Sequence, residues 1–590
     1  MQHGGSLVAD FLQSHGVRSL FTLCGGHISP ILNGCKLAGI RVIDTRHEAS
    51  AVFAADATAR LTGIPGVAAV TAGPGVTNAV TALKNAQLAQ SPVVLLGGAS
   101  ATVLRGRGSL QDIDQMSLLK SCVKATYSVK TVRDIQPSLE EAFETARSGV
   151  PGPVFVELPI DLLYPEATVR EWYGIKGEEQ AAVGLGKKAL QLYLNYHTHQ
   201  MFKSESGLAP LKPVEQLVST VKAQAQSGWI PAKDRTLATV AARALRKARK
   251  PVMVLGSQVT LRPEEIEPLV AALERWQIPV YLSGMARGLL GRNHPLQLRH
   301  KRRQALKEAD LVLLAGVPCD FRLDYGNHIR HSATLISVNR SREDLFKNRI
   351  PTIPVWSDPA GFLQTLGKVL DQAVAGQDWM SSLKSRDLER DEEIEHLATQ
   401  HGKHINPLDL LQRIDAHMAA DSQIIADGGD FVATAAYTLR PRGPLCWLDP
   451  GVFGTLGVGG GFALGAMALN PHKETWIIYG DGSSAYSLAE FDTYVRHGMG
   501  VIAVVGNDAC WNQIARDQVE ILHDDVGVML RATDYHKVAE GYGGVGMLLD
   551  KSEDIEATLI EAQKLARQGK PVLINAILDR SDFRKGSISV

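Results

Sequence analysis

Short apolar runs alternate with helical patterns along three stretches of the chain. In the first stretch, residues 67–71, 93–97 and 154–157 have the pattern of buried strands separated by amphipathic segments. The strands predicted in the other two stretches are 252–255, 279–282, 311–315 and 334–338, then 423–426, 475–480, 501–505 and 571–577. This alternation is typical of parallel sheets covered by helices. The pattern therefore predicts an α/β protein with three doubly wound parallel-sheet domains.

Breaks in the alternation give the predicted domain boundaries. Residues 1–171 form an N-terminal domain, 236–370 a central Rossmann-like domain and 405–590 a C-terminal domain. Residues 172–235 are polar and rich in Gly, Lys and Glu, which predicts a linker or insertion. Residues 371–404 contain charges of alternating sign, which is typical of a solvated helical connector.

The insertion contains one amphipathic run, at residues 190–202. A helix with this pattern either packs against its own domain or lies on a membrane surface or a long acyl chain. No uninterrupted run of 18 strongly apolar residues occurs, so the sequence predicts no membrane-spanning helix. Membrane contact through the amphipathic run stays open.

The composition of the 590 residues is that of a globular protein, with 45% hydrophobic and 21% charged residues. Lys plus Arg and Asp plus Glu both number 62, so net charge provides no reason to bind nucleic acid. The six cysteines include no C-x-x-C pair, and the N-terminus does not resemble a secretory signal. We therefore expect free thiols and a reducing compartment.

The strongest chemical signal lies in the third domain, where a predicted strand runs into Gly480-Asp481-Gly482-Ser483. The next strand ends at Asn507-Asp508, so the two acids are 508 − 481 = 27 residues apart, about one strand-helix-strand unit. Both carboxylates can then emerge at the carboxyl ends of neighbouring strands, where open α/β sheets bind ligands. Two carboxylates beside glycines that admit a phosphate suit Mg²⁺. Gly-Asp-Gly alone also occurs in tight hairpin turns, so this prediction depends on the second acid.

Two other segments place chemistry at strand ends. The glycine-rich run at 451–461 can direct backbone N–H groups and a helix start toward a ligand, or can simply allow close packing. Glu48 follows a predicted strand at 41–43 and enters a helix of small residues at 49–59. A carboxyl group buried there needs a partner, which makes Glu48 a candidate proton donor or shuttle. The alternative is an acid that only complements the helix dipole.

Together these residues resemble the thiamine diphosphate enzymes of the acetolactate synthase and 2-hydroxyacyl-CoA lyase type. The resemblance spans nearly the whole chain outside the insertion. It rests on the motifs Arg46-His47-Glu48, Thr71-Ala72-Gly73-Pro74-Gly75-Val76-Thr77-Asn78, Leu110-Gln111-Asp112, Gly454-Thr455-Leu456-Gly457, Gly480-Asp481-Gly482-Ser483 and Asn507-Asp508. The 2-hydroxyacyl-CoA lyase branch is matched more closely still, by Gly25-Gly26-His27-Ile28-Ser29-Pro30, Asp427-Gly428-Gly429-Asp430-Phe431, Trp447-Leu448-Asp449-Pro450-Gly451 and Asp582-Phe583-Arg584. The resemblance implies pyrimidine-binding, central nucleotide-binding-like and diphosphate-binding domains.

The resemblance also implies a role for each matched residue. Glu48 would bond N1′ of the aminopyrimidine and promote loss of the thiazolium C2 proton. Leu456, where the family usually has Met, would be the apolar wedge that bends the cofactor. Gln111 would orient the substrate carbonyl, although the neighbouring residues differ from the family's Phe-Gln-Glu. The other cofactor-binding residues that the motifs imply are Gly26, Thr71, Gly73, Asn78, Gly429, Asp430, Gly454, Gly480, Gly482 and Ser483.

By the same resemblance, Asp481 and Asp508 would be the side-chain ligands of Mg²⁺, with the backbone carbonyl of Cys510 as a third ligand. The family usually has Asn-Asn where this chain has Asn507-Asp508, so the ligand set carries an extra negative charge. His27 would lie near the thiazolium face, where it either polarises the substrate or is an ordinary structural histidine.

In the central domain, Arg287 and Arg322 follow predicted strands at positions where relatives bind a nucleotide. That nucleotide is FAD in acetolactate synthases and ADP or the adenosine part of CoA in CoA-dependent relatives. The two arginines could hold phosphates or form salt bridges. Arg584, near the end of the chain, could join a lid over CoA. We expect ADP or CoA here rather than FAD.

The implied activity is cleavage of a 2-hydroxyacyl-CoA to formyl-CoA and an aldehyde one carbon shorter. Such a lyase belongs to fatty acid α-oxidation and lipid metabolism, and the reaction can run in reverse as a condensation. An acetolactate synthase-like decarboxylase and carboligase, an oxalyl-CoA decarboxylase-like enzyme and a catalytically silent scaffold are the alternatives.

The family forms its site between the first domain of one subunit and the third domain of another. A homodimer is therefore the expected minimum, and a homotetramer is expected. We expect a cytoplasmic protein as the sequence stands, or an endoplasmic reticulum membrane protein if an N-terminal anchor was removed.

Overall fold

A computed structural model describes residues 3–175, 185–203 and 232–586. The chain divides into two compact units: unit 1 consists of Met1–Ala59 with Ile64–Gly228, and unit 2 of Arg60–Gly63 with Trp229–Val590. Within the described residues, unit 1 contains one six-stranded sheet and unit 2 contains two. Every strand pairing in the three sheets is parallel, which confirms the predicted fold class.

The sheet of unit 1 has the strand order β2-β1-β3-β4-β6-β5. Its strands are β1 (Ser19–Thr22), β2 (Arg41–Asp44), β3 (Gly66–Val70), β4 (Val93–Ala99), β5 (Ala125–Ser128) and β6 (Val154–Pro159). The central strands β3, β4 and β6 are buried along their whole length. Helices cover such a sheet on both faces, which explains why these strands are continuous apolar runs.

The helices of unit 1 follow the strands in the alternation that the sequence predicts. They are α1 (Gly4–Ser14), α2 (Ser29–Leu37), α3 (Glu48–Thr62), α4 (Pro74–Asn78), α5 (Val80–Leu88), α6 (Gln115–Leu119), α7 (Ile135–Arg147), α8 (Ile160–Leu163), α9 (Glu166–Trp172) and α10 (Leu185–Phe202). The start of α3 and the end of α4 both lie at the carboxyl ends of strands, where a ligand site is expected.

Helix α10 is the amphipathic helix predicted at 190–202, and it begins five residues earlier. Met201 and Phe202 are buried in the core of unit 1, so this end packs as an ordinary amphipathic helix does. Leu192 and Tyr196 are exposed. The predicted insertion also includes residues 176–184 and 204–231, which lie outside the described residues.

Unit 2 contains the central and C-terminal sheets. The central sheet has the order β12-β11-β10-β7-β8-β9, and the C-terminal sheet has the order β14-β13-β15-β16-β18-β17. The central strands are β7 (Pro251–Leu255), β8 (Val280–Leu282), β9 (Gln297–Leu298), β10 (Leu311–Ala315), β11 (Thr334–Asn339) and β12 (Ile353–Trp356). The C-terminal strands are β13 (Gln423–Asp427), β14 (Trp447–Leu448), β15 (Thr475–Gly480), β16 (Ile502–Asn507), β17 (Val545–Leu549) and β18 (Val572–Ile577).

The helices of unit 2 cover both sheets and connect them. They are α11 (Ala232–Lys247), α12 (Ile266–Trp276), α13 (Arg302–Glu308), α14 (Arg342–Leu345), α15 (Pro359–Gly367), α16 (Gln377–Ala398), α17 (Pro407–His417), α18 (Asp430–Thr438), α19 (Val458–Leu469), α20 (Asp481–Ser484), α21 (Glu490–His497), α22 (Asn512–Leu522), α23 (Tyr535–Gly541) and α24 (Ile555–Arg567). The predicted charged connector is the long helix α16.

Two expectations from composition can be compared with the fold. The six cysteines are free thiols, as predicted, and five of them are buried. In the part of the chain that the structure describes, no helix has both the length and the apolar character needed to cross a bilayer.

Candidate active site

Glu48 is the first residue of α3, four residues after the end of β2. Its side chain is buried, and the Asn78 side-chain amide donates a hydrogen bond to its Oε2 at 3.0 Å. Asn78 is the last residue of α4, which follows β3. The fold therefore joins two predicted site residues at one edge of the unit 1 sheet. A buried carboxyl group with a neutral amide partner can hold or release a proton there.

His27 lies at the same edge. Its Nδ1 is 3.0 Å from Thr71 Oγ1, and burial lowers the pKa of the imidazole. Gly26, the preceding residue, is exposed, and its carbonyl accepts a hydrogen bond from the Tyr164 hydroxyl at 3.2 Å. A neutral imidazole fixed by Thr71 has one ring nitrogen left with which it can bond a substrate oxygen.

Gln111 lies on a loop that passes directly over Gly73. Its own φ is +63°, and Gly73 has a φ of +62°. A Cβ atom on Gly73 would be 2.8 Å from the Gln111 carbonyl oxygen, so only glycine permits this approach. A cavity of about 340 Å³ adjoins the loop, and its lining includes Gln111, Asp112 and Arg105.

Gln115 was not identified from the sequence, although it holds this loop in place. Its Oε1 accepts a hydrogen bond from the Gly73 N–H at 2.9 Å, and its Nε2 donates to the Gly98 carbonyl and to Glu157, both at 3.1 Å. Glu157 in turn pairs with Arg105 at 2.8 Å. No local pattern distinguishes the glutamine that begins the short helix α6, so only the tertiary contacts reveal it.

In unit 2, Asp481 begins α20 directly after β15, and Asp508 follows the end of β16. The two strands are parallel neighbours with Gly480 opposite Gly506. The predicted strand-helix-strand unit is therefore present, and it brings both acids to the same edge of the sheet. Asp481 accepts hydrogen bonds from the backbone N–H groups of Gly482 at 2.7 Å and Cys510 at 3.2 Å.

The two acids stand in an environment that suits a cation. Burial raises the pKa of Asp481. Burial, with the charges of Asp481 and Asp430 adding to it, raises the pKa of Asp508 to about 7. A divalent cation would relieve this repulsion, so the residues fit Mg²⁺. Among the described residues no three His, Cys, Asp or Glu side chains converge on one point. The candidate ligands from the sequence remain these two carboxylates and the Cys510 carbonyl.

The glycines around Asp481 leave little room for larger residues. A Cβ atom on Gly482 would overlap the Trp511 ring, and Gly429, with φ of +99°, precedes α18. The Ser483 hydroxyl donates to the Asp427 carbonyl at 2.5 Å. Asp430, the first residue of α18, is paired with Arg516 at 2.8 Å. These segments can hold a diphosphate through backbone N–H groups and a helix N-terminus.

Leu456 lies between Gly454, whose φ is +65°, and the start of α19. A Cβ atom on Gly428 would overlap the Leu456 side chain, so the leucine packs directly on the Gly428 backbone. Next to it, the buried Asp427 carboxylate accepts hydrogen bonds from two backbone N–H groups of the same glycine-rich segment. Burial raises the pKa of Asp427 to about 7. Asp427 is part of the Asp427–Phe431 motif, but the sequence indicated no role for it.

A cavity of about 500 Å³ in unit 2, the arginine cavity, brings together Arg287, Arg322 and Arg584. Further basic residues in its lining are Arg299, His300, Lys301, Arg302, Arg303 and His328. The sequence left phosphate binding and a salt bridge open for Arg322. In the structure it forms a salt bridge with Asp320 at 2.7 Å. Arg287 instead lies over the Trp447 ring at 5.3 Å.

Several polar nitrogens of this cavity are left without protein partners. Arg287 Nε, Arg584 Nε and His300 Nδ1 are buried and have no hydrogen-bond partner among the described residues. Buried donors are normally paired, so the Nε–H groups of Arg287 and Arg584 call for an acceptor. A phosphate or diphosphate supplies several acceptor oxygens and the negative charge that the arginines require.

Three family models match the chain along its length. They are the thiamine pyrophosphate enzyme N-terminal TPP binding domain at residues 2–118, the central domain at 238–366 and the C-terminal TPP binding domain at 427–576. The chain belongs to the thiamine pyrophosphate enzyme family. Thiamine pyrophosphate is the same compound as thiamine diphosphate, so the predicted family is confirmed.

Curated relatives cover the whole chain. "2-hydroxyacyl-CoA lyase 2" of Danio rerio is 50% identical over 596 residues, which is 100% of this chain and 94% of the relative. The Homo sapiens protein of that name is 47% identical over 597 residues, covering 100% and 92%. "Acetolactate synthase large subunit IlvG" of Mycobacterium tuberculosis is 31% identical over 586 residues, covering 98% and 96%. The chain is thus similar to both types that the motifs indicated.

The three domain models contain most of the candidate site residues described above. The N-terminal model spans His27, Glu48 and Gln111, and the C-terminal model spans Asp427 and Asp508. The central model spans the arginine cavity's Arg287 and Arg322, whereas Arg584 lies beyond all three models.

Proposed function

We propose that this thiamine diphosphate enzyme is a Mg²⁺-dependent carbon-carbon lyase. Its substrate would be a 2-hydroxyacyl-CoA, and its products formyl-CoA and an aldehyde one carbon shorter. The observation that carries the CoA assignment is the arginine cavity, with buried donors that lack protein partners. The lyase assignment is supported by similarity to 2-hydroxyacyl-CoA lyase 2 proteins at 46–50% identity.

The cofactor supplies the carbanion chemistry when it is bound, and the protein manages protons and position. Glu48 would hold a proton at N1′ of the aminopyrimidine, with Asn78 fixing the carboxyl group. Asp481, Asp508 and the Cys510 carbonyl would hold Mg²⁺ against the diphosphate. Leu456 would set the bend of the cofactor.

On the substrate, the bond between C1 and C2 breaks, the 2-hydroxyl proton leaves and a proton is added at C1, the carbon of the formyl group. Gln111 would orient the thioester carbonyl, because its loop is fixed by the close contact with Gly73. His27 Nδ1 is bonded to Thr71 Oγ1, which leaves Nε2 for the substrate. Nε2 would therefore bond the hydroxyl oxygen at C2. These groups differ from those of a silent scaffold, which has no need of a buried acid at the sheet edge.

The arginine cavity would hold the nucleotide part of the substrate or a bound ADP. Phosphate oxygens would fill the acceptor positions at Arg287 and Arg584. Arg584 also lies over the Tyr437 ring at 4.7 Å, which keeps the end of the chain against the cavity.

The oligomeric state and location are further parts of the proposal. Because the family combines the first domain of one subunit with the third domain of another, we propose a homodimer as the minimum and a homotetramer as the complete enzyme. We propose a cytoplasmic enzyme, or one held at the endoplasmic reticulum membrane if an anchor precedes this sequence.

The test is a mass-spectrometric product assay with thiamine diphosphate and Mg²⁺, in which a long-chain 2-hydroxyacyl-CoA and pyruvate are offered separately. Formyl-CoA or formate together with the shortened aldehyde would support the lyase. The Glu48→Gln protein is the matched control and should form neither product.

Other products would overturn this assignment. Acetolactate from pyruvate alone, with flavin retained through purification, would indicate a synthase. Carbon dioxide from oxalyl-CoA would indicate a decarboxylase. No product from any of these substrates, with cofactor bound, would favour a silent scaffold.

A further inference from the structure

We propose that Asp427 is a positioning residue that fixes the Leu456 wedge against the cofactor. The inference rests on the proposed function, because it concerns the same thiamine diphosphate site. Asp427 is the last residue of β13 and is fully buried. Nothing in the sequence pattern separates it from an ordinary acid at a strand end.

The first support is the pair of hydrogen bonds that the carboxylate accepts. Oδ1 accepts from the Gly457 N–H at 2.9 Å, and Oδ2 accepts from the Gly459 N–H at 2.8 Å. Gly457 is the residue before α19 and follows Leu456 directly. The first N–H groups of a helix have no partner within the helix, so one carboxylate satisfies two of them. The negative charge also complements the helix dipole.

The second support is that the next residue, Gly428, holds the Leu456 side chain. A Cβ atom at Gly428 would overlap Leu456 Cδ2, and the φ of +56° there favours glycine. Asp427 therefore fixes the backbone that follows Leu456, while its neighbour supports the leucine side chain. The wedge is constrained from both sides by one two-residue segment.

The third support is that the same segment connects the wedge to the Gly480–Ser483 turn. The Asp427 carbonyl accepts from the Ser483 hydroxyl at 2.5 Å, and the Gly428 carbonyl accepts from the Gly480 N–H at 3.2 Å. The segment thus joins the part proposed to bend the cofactor to the part proposed to hold its diphosphate. An effect on the wedge should be visible in the bound cofactor itself.

The decisive variant is Asp427→Asn, which keeps the size but turns one acceptor into an N–H₂ donor facing a glycine N–H. The readouts are thiamine diphosphate affinity by titration calorimetry with Mg²⁺, and exchange of the bound cofactor's C2 proton for deuterium, measured by acid quench and NMR. We expect exchange to slow about tenfold or more, with a smaller loss of affinity. Leu456→Ala should slow exchange similarly, and the double variant should be no slower than the slower single variant, because both act through one element.

Glu474→Gln is the matched control, since Glu474 precedes β15 at the opposite end and its carboxylate accepts from Ser422 and Trp476. It should alter stability without altering exchange. If Asp427→Asn fails to fold, Gly428→Ala tests the second contact of the same two-residue segment by displacing Leu456, and it should also slow exchange. Unchanged exchange in the folded variants, or additive effects with Leu456→Ala, would overturn the inference. A native protein that binds no thiamine diphosphate would overturn the proposed function itself.

Discussion

The Asn78 amide donates a 3.0 Å hydrogen bond to the buried Glu48 carboxylate, and this joins the last residue of α4 to the first residue of α3. Asn78 presents a neutral donor, and its hydrogen bond orients the carboxyl group. A group that must exchange a proton with a cofactor nitrogen benefits from such a partner.

Replacing Glu48 with Gln should abolish proton transfer while keeping the hydrogen bond geometry. We expect turnover to fall by about a hundredfold to ten-thousandfold, the usual contribution of a general acid or base. Thiamine diphosphate affinity should change far less. Single-turnover kinetics and calorimetry on the same preparation separate the two quantities. Turnover at the native rate would refute the role of Glu48.

Replacing Gln115 with Leu should leave the buried Gly73 N–H without an acceptor. A lost buried partner costs about 1–3 kcal/mol of stability. Because Gly73 supports the Gln111 loop, the apparent KM for substrate should also rise. Thermal unfolding and steady-state kinetics measure the two effects. Glu140→Gln is a suitable control, since Glu140 forms a half-exposed pair with His15 on the surface. If the Gln115→Leu protein had the native KM and kcat, Gln115 would have no role in substrate binding.

Replacing Asp508 with Asn should weaken Mg²⁺ binding but not remove it, since one carboxylate and neutral oxygens remain. Replacing Asp481 with Ala should remove it, because Asp481 is the acid fixed by two backbone N–H groups. Calorimetric titration of Mg²⁺ with thiamine diphosphate present measures both. Equal affinities in the native and Asp481→Ala proteins would place the metal elsewhere.

Replacing Arg287 with Met should raise the KM for an acyl-CoA substrate. A charge-assisted hydrogen bond contributes about 1.5–3 kcal/mol, so we expect an increase of about tenfold or more with little change in kcat. Arg567→Met is the control, because Arg567 is on the surface with a 68% exposed side chain. A native KM in both variants would contradict the proposal that the arginine cavity binds the CoA nucleotide.

The stability of the cofactor-free protein should depend on the ionisation of Asp427. Its pKa rises from 3.8 to about 7 on burial, so between these values the folded state keeps a proton that the unfolded chain has lost. The unfolding free energy therefore falls as pH rises through this window, by at most about 4 kcal/mol. Asp427→Asn removes this contribution. We expect calorimetric scans to show the variant gaining stability relative to the native protein as pH rises from about 4 to about 7. A stability difference that stays constant over this window would contradict the raised pKa of the buried carboxylate.

The local pattern of the sequence was sufficient for the fold class and for the main buried strands of each sheet. It did not predict β1, β5, β12 or β17. Strand β10 and strand β15 coincide with their predicted ranges, because a parallel strand buried on both faces must be a continuous apolar run. The spacing from Asp481 to Asp508 likewise follows from the length of one strand-helix-strand unit. Short strands such as β9 and β14 were missed, since two residues carry no readable period.

Only the tertiary structure decided which groups support those strand-end residues. The Asp427 carboxylate meets Gly457 and Gly459, and Gln115 meets Gly73, through contacts 30 or more residues apart in the chain. The arginine cavity likewise collects residues from the central domain, the end of α18 and the C-terminal segment. Apolar periodicity and turn residues act within a few positions, so they determine where a strand ends. The partner of a buried polar group depends on how the completed sheets and helices pack, and the sequence alone does not contain that geometry in local form.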